Sequence, residues 1–211
     1  MRAPLALAAG LALAPAAAYA DRYEATLTAT VHGGMARVGA PGAAAETAPA
    51  FGGAVRLAHA WRNSVAWDVG IAGAVTQPAT FRDAEATVNG RTVTGDATRR
   101  TATIAPQLGA ELRWGLRRQP FVRAALGPQL RYQSAADVDI YPAALPAGWS
   151  LDAIASLGVG VDLRVGRRNI VGLALQLDHG QPVAGGAPVD ILGLTVRVGR
   201  AWYPRWWAPS W

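Results

Sequence analysis

Residues 21–32 read DRYEATLTATVH. Tyr23, Ala25, Leu27, Ala29 and Val31 fall on one face of an extended chain. Arg22, Glu24, Thr26, Thr28 and Thr30 fall on the other. A period of 2 marks a strand with one apolar and one polar face. Soluble strands are usually about 5–6 residues long. A strand tilted across a bilayer needs ~9–11. This segment has the longer dimension, and the alternation recurs seven more times along the chain.

The repeats predict strands at 51–62, 65–75, 101–114, 120–133, 149–165, 170–178 and 190–203. The sixth strand is the cleanest: Leu151, Ala153, Ala155, Leu157, Val159, Val161, Leu163 and Val165 oppose Ser150, Asp152, Ser156, Gly158, Gly160, Asp162 and Arg164. Pro106 and Pro128 fall inside the fourth and fifth strands. Each removes a ladder donor, so bulges are expected there. Connections after strands 2, 4 and 6 are short. Those after strands 1, 3, 5 and 7 are long: 33–50, 76–100, 134–148 and 179–189. Within the second, Asn89-Gly90 is a hairpin signal that would extend strands 3 and 4.

Residues 1–20 carry a different signal. A short basic start is followed by an apolar run from Leu5 to Ala18, too short to span a bilayer. Ala18-Tyr19-Ala20 then supplies a small-x-small cleavage site. This predicts a cleaved secretory signal peptide at 1–20, a barrel at 21–203 and a Trp-rich periplasmic or interfacial tail at 204–211. The chain has no cysteine, which excludes a disulfide framework and thiolate metal sites. Hydrophobic residues make up 51% and charged residues only 16%, a balance that barrels conceal in alternation. The net charge of +6 comes from arginines scattered over strands and turns. A nucleic-acid surface would cluster them, so no nucleic-acid partner is expected.

Two further patterns agree with a membrane barrel. Tyr23, Trp61, Trp67, Trp114, Phe121 and Trp202 lie at strand ends beside the termini or short turns, and Phe51, Tyr132 and Trp149 at ends beside long loops. Two aromatic girdles around an aliphatic band are expected of such a barrel. The polar face carries Arg22, Arg56, Arg113, Arg123, Arg131, Arg164 and Arg197 against Glu24, Asp68, Glu111, Asp152, Asp162 and Asp178. Charges in a narrow lumen must pair, so a plugged interior is expected.

With signal peptide, eight amphipathic strands, short turns and long outer loops, the chain resembles the small eight-stranded outer-membrane β-barrel proteins of diderm bacteria. The last strand adds Arg197-x-Gly199-x-x-Trp202, which is similar to the polar-x-Gly-x-x-aromatic assembly signal of that class. Pro204 stands where a second aromatic is usual. The resemblance implies an all-β, eight-stranded antiparallel up-and-down transmembrane barrel. It implies location in the outer membrane, with outer-membrane lipids including lipopolysaccharide, and the barrel-assembly machinery, as partners. A monomer is expected.

Chemistry is harder to find. A lipid A deacylase of this architecture would need His and Ser near the outer end of one strand, with a carboxylate behind the His. His32 and His179 lie at the tops of strands 1 and 7, and neither has the adjacent Ser; His59 falls on the apolar face. Asp137 and Asp139 alone make a weak cation site. The reading is therefore a non-enzymatic, structural or surface-interaction protein acting through its long loops, with no catalytic, cofactor-binding or metal residues and no cofactor. A narrow, porin-like small-solute channel is the alternative. A lipid-modifying enzyme and a soluble lipocalin-like barrel rank below it.

The sequence also bounds the last strand. Pro204 cannot donate to a ladder and should end it near Tyr203. Deleting 204–211 should leave a barrel that shows the heat-modifiable gel shift, whereas deleting 197–211 should abolish the folded band.

Overall fold

The computed structural model describes residues 24–202, apart from 63, 116 and 185 and the side chain of 62. The expected signal peptide, residues 21–23 of the opening strand and everything from 203 onward lie outside the described residues.

Among the described residues twelve strands follow one another: β1 (Ala25–Val38), β2 (Glu46–Arg62), β3 (Val65–Thr76), β4 (Ala79–Val88), β5 (Arg91–Arg99), β6 (Thr101–Arg113), β7 (Arg118–Gln133), β8 (Ala136–Val138), β9 (Tyr141–Leu145), β10 (Gly148–Val165), β11 (Asn169–Pro182) and β12 (Val189–Trp202). Eight of them, β1, β2, β3, β6, β7, β10, β11 and β12, close into one antiparallel barrel. The closing seam pairs β1 with β12 from Ala25↔Trp202 to Arg37↔Asp190. The remaining four form two separate hairpins, β4–β5 and β8–β9, at the end of the barrel opposite the short turns.

The faces sort as the alternation demands. Leu27, Val31, Val55, Val69, Leu108, Leu126, Leu157, Leu173 and Leu194 point out and are exposed, while Thr28, Arg56, Asp68, Glu111, Arg123, Asp162 and Arg197 point in and are buried. A lipocalin-like barrel, with its apolar face inward, is overturned by this arrangement. Apolar wall and polar lumen are the arrangement of a transmembrane barrel. Among the described residues no helix is long and apolar enough to cross a membrane.

Several boundaries differ from expectation. β1 and β2 continue past the predicted ends, pairing from Gly33↔Phe51 to Val38↔Glu46, so the first loop shrinks to 39–45. β11 likewise runs on to Pro182, leaving 183–188. The inward residues of these extensions include Ala36, Val38, Ala48 and Ala50. Their outward residues include the exposed Arg37 and Thr47, so the contrast reverses there and no longer continues the apolar-outward pattern. Asn89-Gly90 does turn a hairpin, with φ of 50° and 75°, the positive pair of a type I′ turn. That hairpin forms a sheet of its own instead of lengthening β3 and β6.

The prolines make no bulge. Pairing of β6 with β7 runs to Ile104↔Leu130 and resumes at Leu108↔Leu126 in unchanged register, so Pro106 faces Pro128 across a short unpaired gap. The two missing donors are thus spent opposite each other. Gly127 is required beside them, because a Cβ there would lie 2.0 Å from the Pro106 carbonyl oxygen.

Among the described residues the girdles hold with one exception, Tyr23 lying outside them. Trp61 and Trp67 are exposed at the turn end; Phe51 and Trp149 are exposed at the hairpin end, where the Tyr132 and Trp149 rings lie 5.1 Å apart. Phe121 is instead buried. It shares the parity of Arg123 on β7, which sends it into the lumen, and the Arg197 guanidinium stacks 4.7 Å from its ring centroid.

The face assignment gives a direct test. Leu157→Arg or Leu194→Arg, both on the exposed apolar wall, should cost ~2–4 kcal/mol of stability in bilayers. Gly158→Ala should cost little, since a Cβ there meets nothing closer than 3.9 Å. Urea unfolding in lipid vesicles reads both; equal midpoints for Leu157→Arg and the parent would reverse the faces.

Candidate functional site: the plugged lumen and the outer hairpins

An eight-stranded barrel leaves room for side chains alone, and here those side chains are charged. Among the described residues the lumen holds Glu24, Asp68, Glu111, Asp152, Asp162 and Asp178, and also Arg56, Arg113, Arg123, Arg131, Arg164 and Arg197. The two signs balance. The expected Arg22 lies outside the described residues.

Near the short turns Glu111 is the hub. It accepts from Arg197 Nη1 at 2.8 Å and Nη2 at 3.3 Å, and it also pairs with Arg113. Asp162 approaches Arg197 Nε at 3.5 Å, and Glu24 pairs with Arg164. At mid-height Arg123 grips Asp68 with two bonds, Nη2 to Oδ1 at 2.6 Å and Nε to Oδ2 at 2.9 Å. This fork-to-fork geometry is the strongest form of the pair. Gln107 extends it, receiving Arg123 at 3.4 Å and donating to Ser156 Oγ at 2.9 Å. Toward the hairpins Arg131 Nε lies 3.2 Å from Asp152 Oδ2 and donates to Ser150 Oγ at 3.1 Å.

Arg56 is held differently. Its Nη2 donates to Gln176 Oε1 at 3.3 Å, and Gln176 Nε2 donates to both oxygens of Asp178 at 2.9 Å. A neutral amide thus relays the pairing between the two charges. Gln176 carried no flag in the sequence beyond its inward parity on β11.

Above this polar storey the filling changes to apolar. Ala36, Ala50, Ala74 and Ile191 inside the barrel form one cluster with Phe81, Ala84, Ala97, Val138 and Leu145 of the two hairpins. Phe81 is only 1% exposed. The hairpins therefore share a core with the barrel mouth. Arg99 ties them together, donating to the carbonyls of Ser134 and Pro146, each at 2.8 Å. Burial pulls the Arg99 guanidinium below its ordinary pKa. The signal for this cap was the pattern Ala79, Phe81, Ala84, Ala86 inside an expected loop, broken by a register shift between Phe81 and Ala84.

The histidines do not assemble. His32 is buried inside the wall. His179 points outward and meets Asp190, Nδ1 to Oδ1, at 2.5 Å. The barrel wall separates the two side chains. His59 is half-buried on the outer face, its ring 5.8 Å from that of Trp67. Asp137 Oδ1 accepts the Ala143 amide at 2.6 Å and so braces the β8–β9 turn. Asp139, with φ of 50°, shares an open cleft with Asp96 and Asp137. Among the described residues no group of three or more His, Cys, Asp or Glu could hold a metal ion.

Solved structures similar to this chain are small outer-membrane barrels. Ail, the attachment invasion locus protein of Yersinia pestis, solved in complex with the heparin analogue sucrose octasulfate, matches at 12% identity over 86% of this chain and 100% of its own, with a TM-score of 0.49. The N-terminal β-barrel domain of Pseudomonas aeruginosa OprF matches at 15% identity over 86% and 98%, TM-score 0.48. Neisserial surface protein A matches at 12% identity over 83% and 96%, TM-score 0.49. The chain itself is a closed antiparallel barrel of eight strands with its apolar side chains outward. No protein-family model matches, and no curated protein matches.

Glu111, 1% exposed between two guanidiniums, is the most sensitive point of the lumen. Glu111→Ala strands the buried Arg113 and leaves Arg197 with Asp162 alone, and should cost about 3–5 kcal/mol. Urea unfolding in vesicles measures it, and a loss under about 1 kcal/mol would mean that water reaches these arginines.

Proposed function

We propose that this chain is a non-enzymatic barrel of a bacterial outer membrane, exported by residues 1–20, that holds a rigid set of hairpins at the cell surface for contact with other molecules. The observation that carries the reading is the shared core of barrel and hairpins. Phe81, Val138 and Leu145 are packed as tightly as interior residues. A loop needed only to connect strands has no reason to be so built. At the far end the hairpin tips expose Ile140, at 86%, and Tyr141; Val183 is exposed on the neighbouring loop. Exposed apolar groups on an ordered support suit contact with a partner surface. Lipids of the outer membrane, lipopolysaccharide included, would surround the aliphatic wall, and the assembly machinery would act on β12 and its continuation.

The channel alternative is disfavoured by the same features. The charges on the lumen wall are joined to one another, and the mouth is filled by alanines and Phe81. An enzymatic role finds no support in the separated histidines.

Cell fractionation tests the location: the protein should be recovered with outer membranes, and protease added to intact cells should cut in the hairpins and nowhere in the barrel. In planar bilayers the purified protein should give no large, steady conductance steps. Such steps would put the channel reading first, and recovery in the soluble fraction would remove both.

A further inference from the structure

Where the polar storey of the lumen meets the apolar one, the wall frames a partly open cavity of about 10 Å3 lined by His32, Thr103, Ala105, Gln129, Ile154 and Asp178, among others. Two of these residues bring polar atoms that have no partner, His32 Nε2 and Gln129 Oε1. Both side chains are deeply buried, at 8% and 2% exposure. Buried polar atoms left unpaired are costly, and the usual remedy in a polar niche is an internal water. A niche needs roughly 10–15 Å3 by this measure to hold one. This one is the right size for a single molecule.

Glycines seat both groups. A Cβ on Gly52 would lie 2.5 Å from His32 Nε2, and a Cβ on Gly180 would lie 2.3 Å from Gln129 Oε1. At Gly52 the nearest atom to such a carbon is the Gly73 carbonyl oxygen, at 2.3 Å, so that position is closed by backbone as well as by His32.

The niche also lies between two networks. Below it, Asp178 ends the relay from Arg56 through Gln176. Above it, Gln129 is the cross-strand partner of Asp152, which pairs with Arg131. We propose that the cavity binds one internal water, which accepts from His32 Nε2–H and donates to Gln129 Oε1 and to the Asp178 carboxylate. Three bonds are the usual number for such a water. The water carries the Arg56–Gln176–Asp178 relay across to His32 and Gln129. It is a fixed bridge, and it goes beyond the surface role proposed above without depending on it.

The test is nuclear magnetic resonance of the full chain in lipid nanodiscs, with labelled histidine and glutamine side chains. The expected result is a cross-peak between His32 and a long-lived water, a second between that water and the Gln129 side-chain amide, and a protonated His32 Nε2. Absence of water cross-peaks in the folded protein, or an unprotonated Nε2, overturns the proposal. Gln129→Leu should abolish the His32–water cross-peak while the heat-modifiable band persists; an undiminished cross-peak would refute the bridge. If that variant does not fold, Ala105→Val fills the niche from another strand. It should lose the water signal and lower the urea midpoint. A raised midpoint would identify the cavity as a dry void.

Discussion

Everything in this structure follows from the need to pair backbone groups inside a medium that offers none. In hydrocarbon an unpaired N–H or C=O costs several kcal/mol, so an apolar wall demands a ladder without edges. The β1–β12 seam meets that demand, running unbroken from Ala25↔Trp202 to Arg37↔Asp190. The two prolines show how strict it is. Pro106 and Pro128 are placed opposite each other in the β6–β7 pair, so the interruption is confined to one gap and the register on both sides survives.

Closure at eight strands sets the second constraint, a lumen with no space for bulk water. Any charge placed there must find its counter-charge within the lumen. Arg197 on β12 reaches Glu111 on β6, and Arg123 on β7 reaches Asp68 on β3. These pairs are worth little against a well-packed apolar filling. They do penalise any shift of register, because sliding one strand would turn its charges into the lipid. Arg56 is bound more loosely, through Gln176, and the Arg131–Asp152 pair lies between it and the apolar cap.

The cap changes the character of the hairpin end. β4–β5 and β8–β9 are held by a common core and by Arg99 bonds to two carbonyls, so the surface they present is a fixed shape. Rigid presentation lowers the ordering cost of binding, which is the property the proposed surface role calls for.

Alternation along each strand sufficed for the eight barrel strands, their inside and outside faces and the balanced lumen charges, because period 2 is a local property that a bilayer-spanning wall cannot evade. Asn89-Gly90 located a turn for the same local reason. Tertiary structure alone decided the rest. Ala36, Val38, Ala48 and Ala50 are apolar on an inward face, so strand and loop looked alike until packing against the hairpins distinguished them. Phe121 sat at a strand end like a girdle residue, and only its parity in the closed barrel put it beneath Arg197. Which carboxylate each arginine meets depends on the stagger of strands around the barrel, and a stagger is a relation between segments that no single segment encodes.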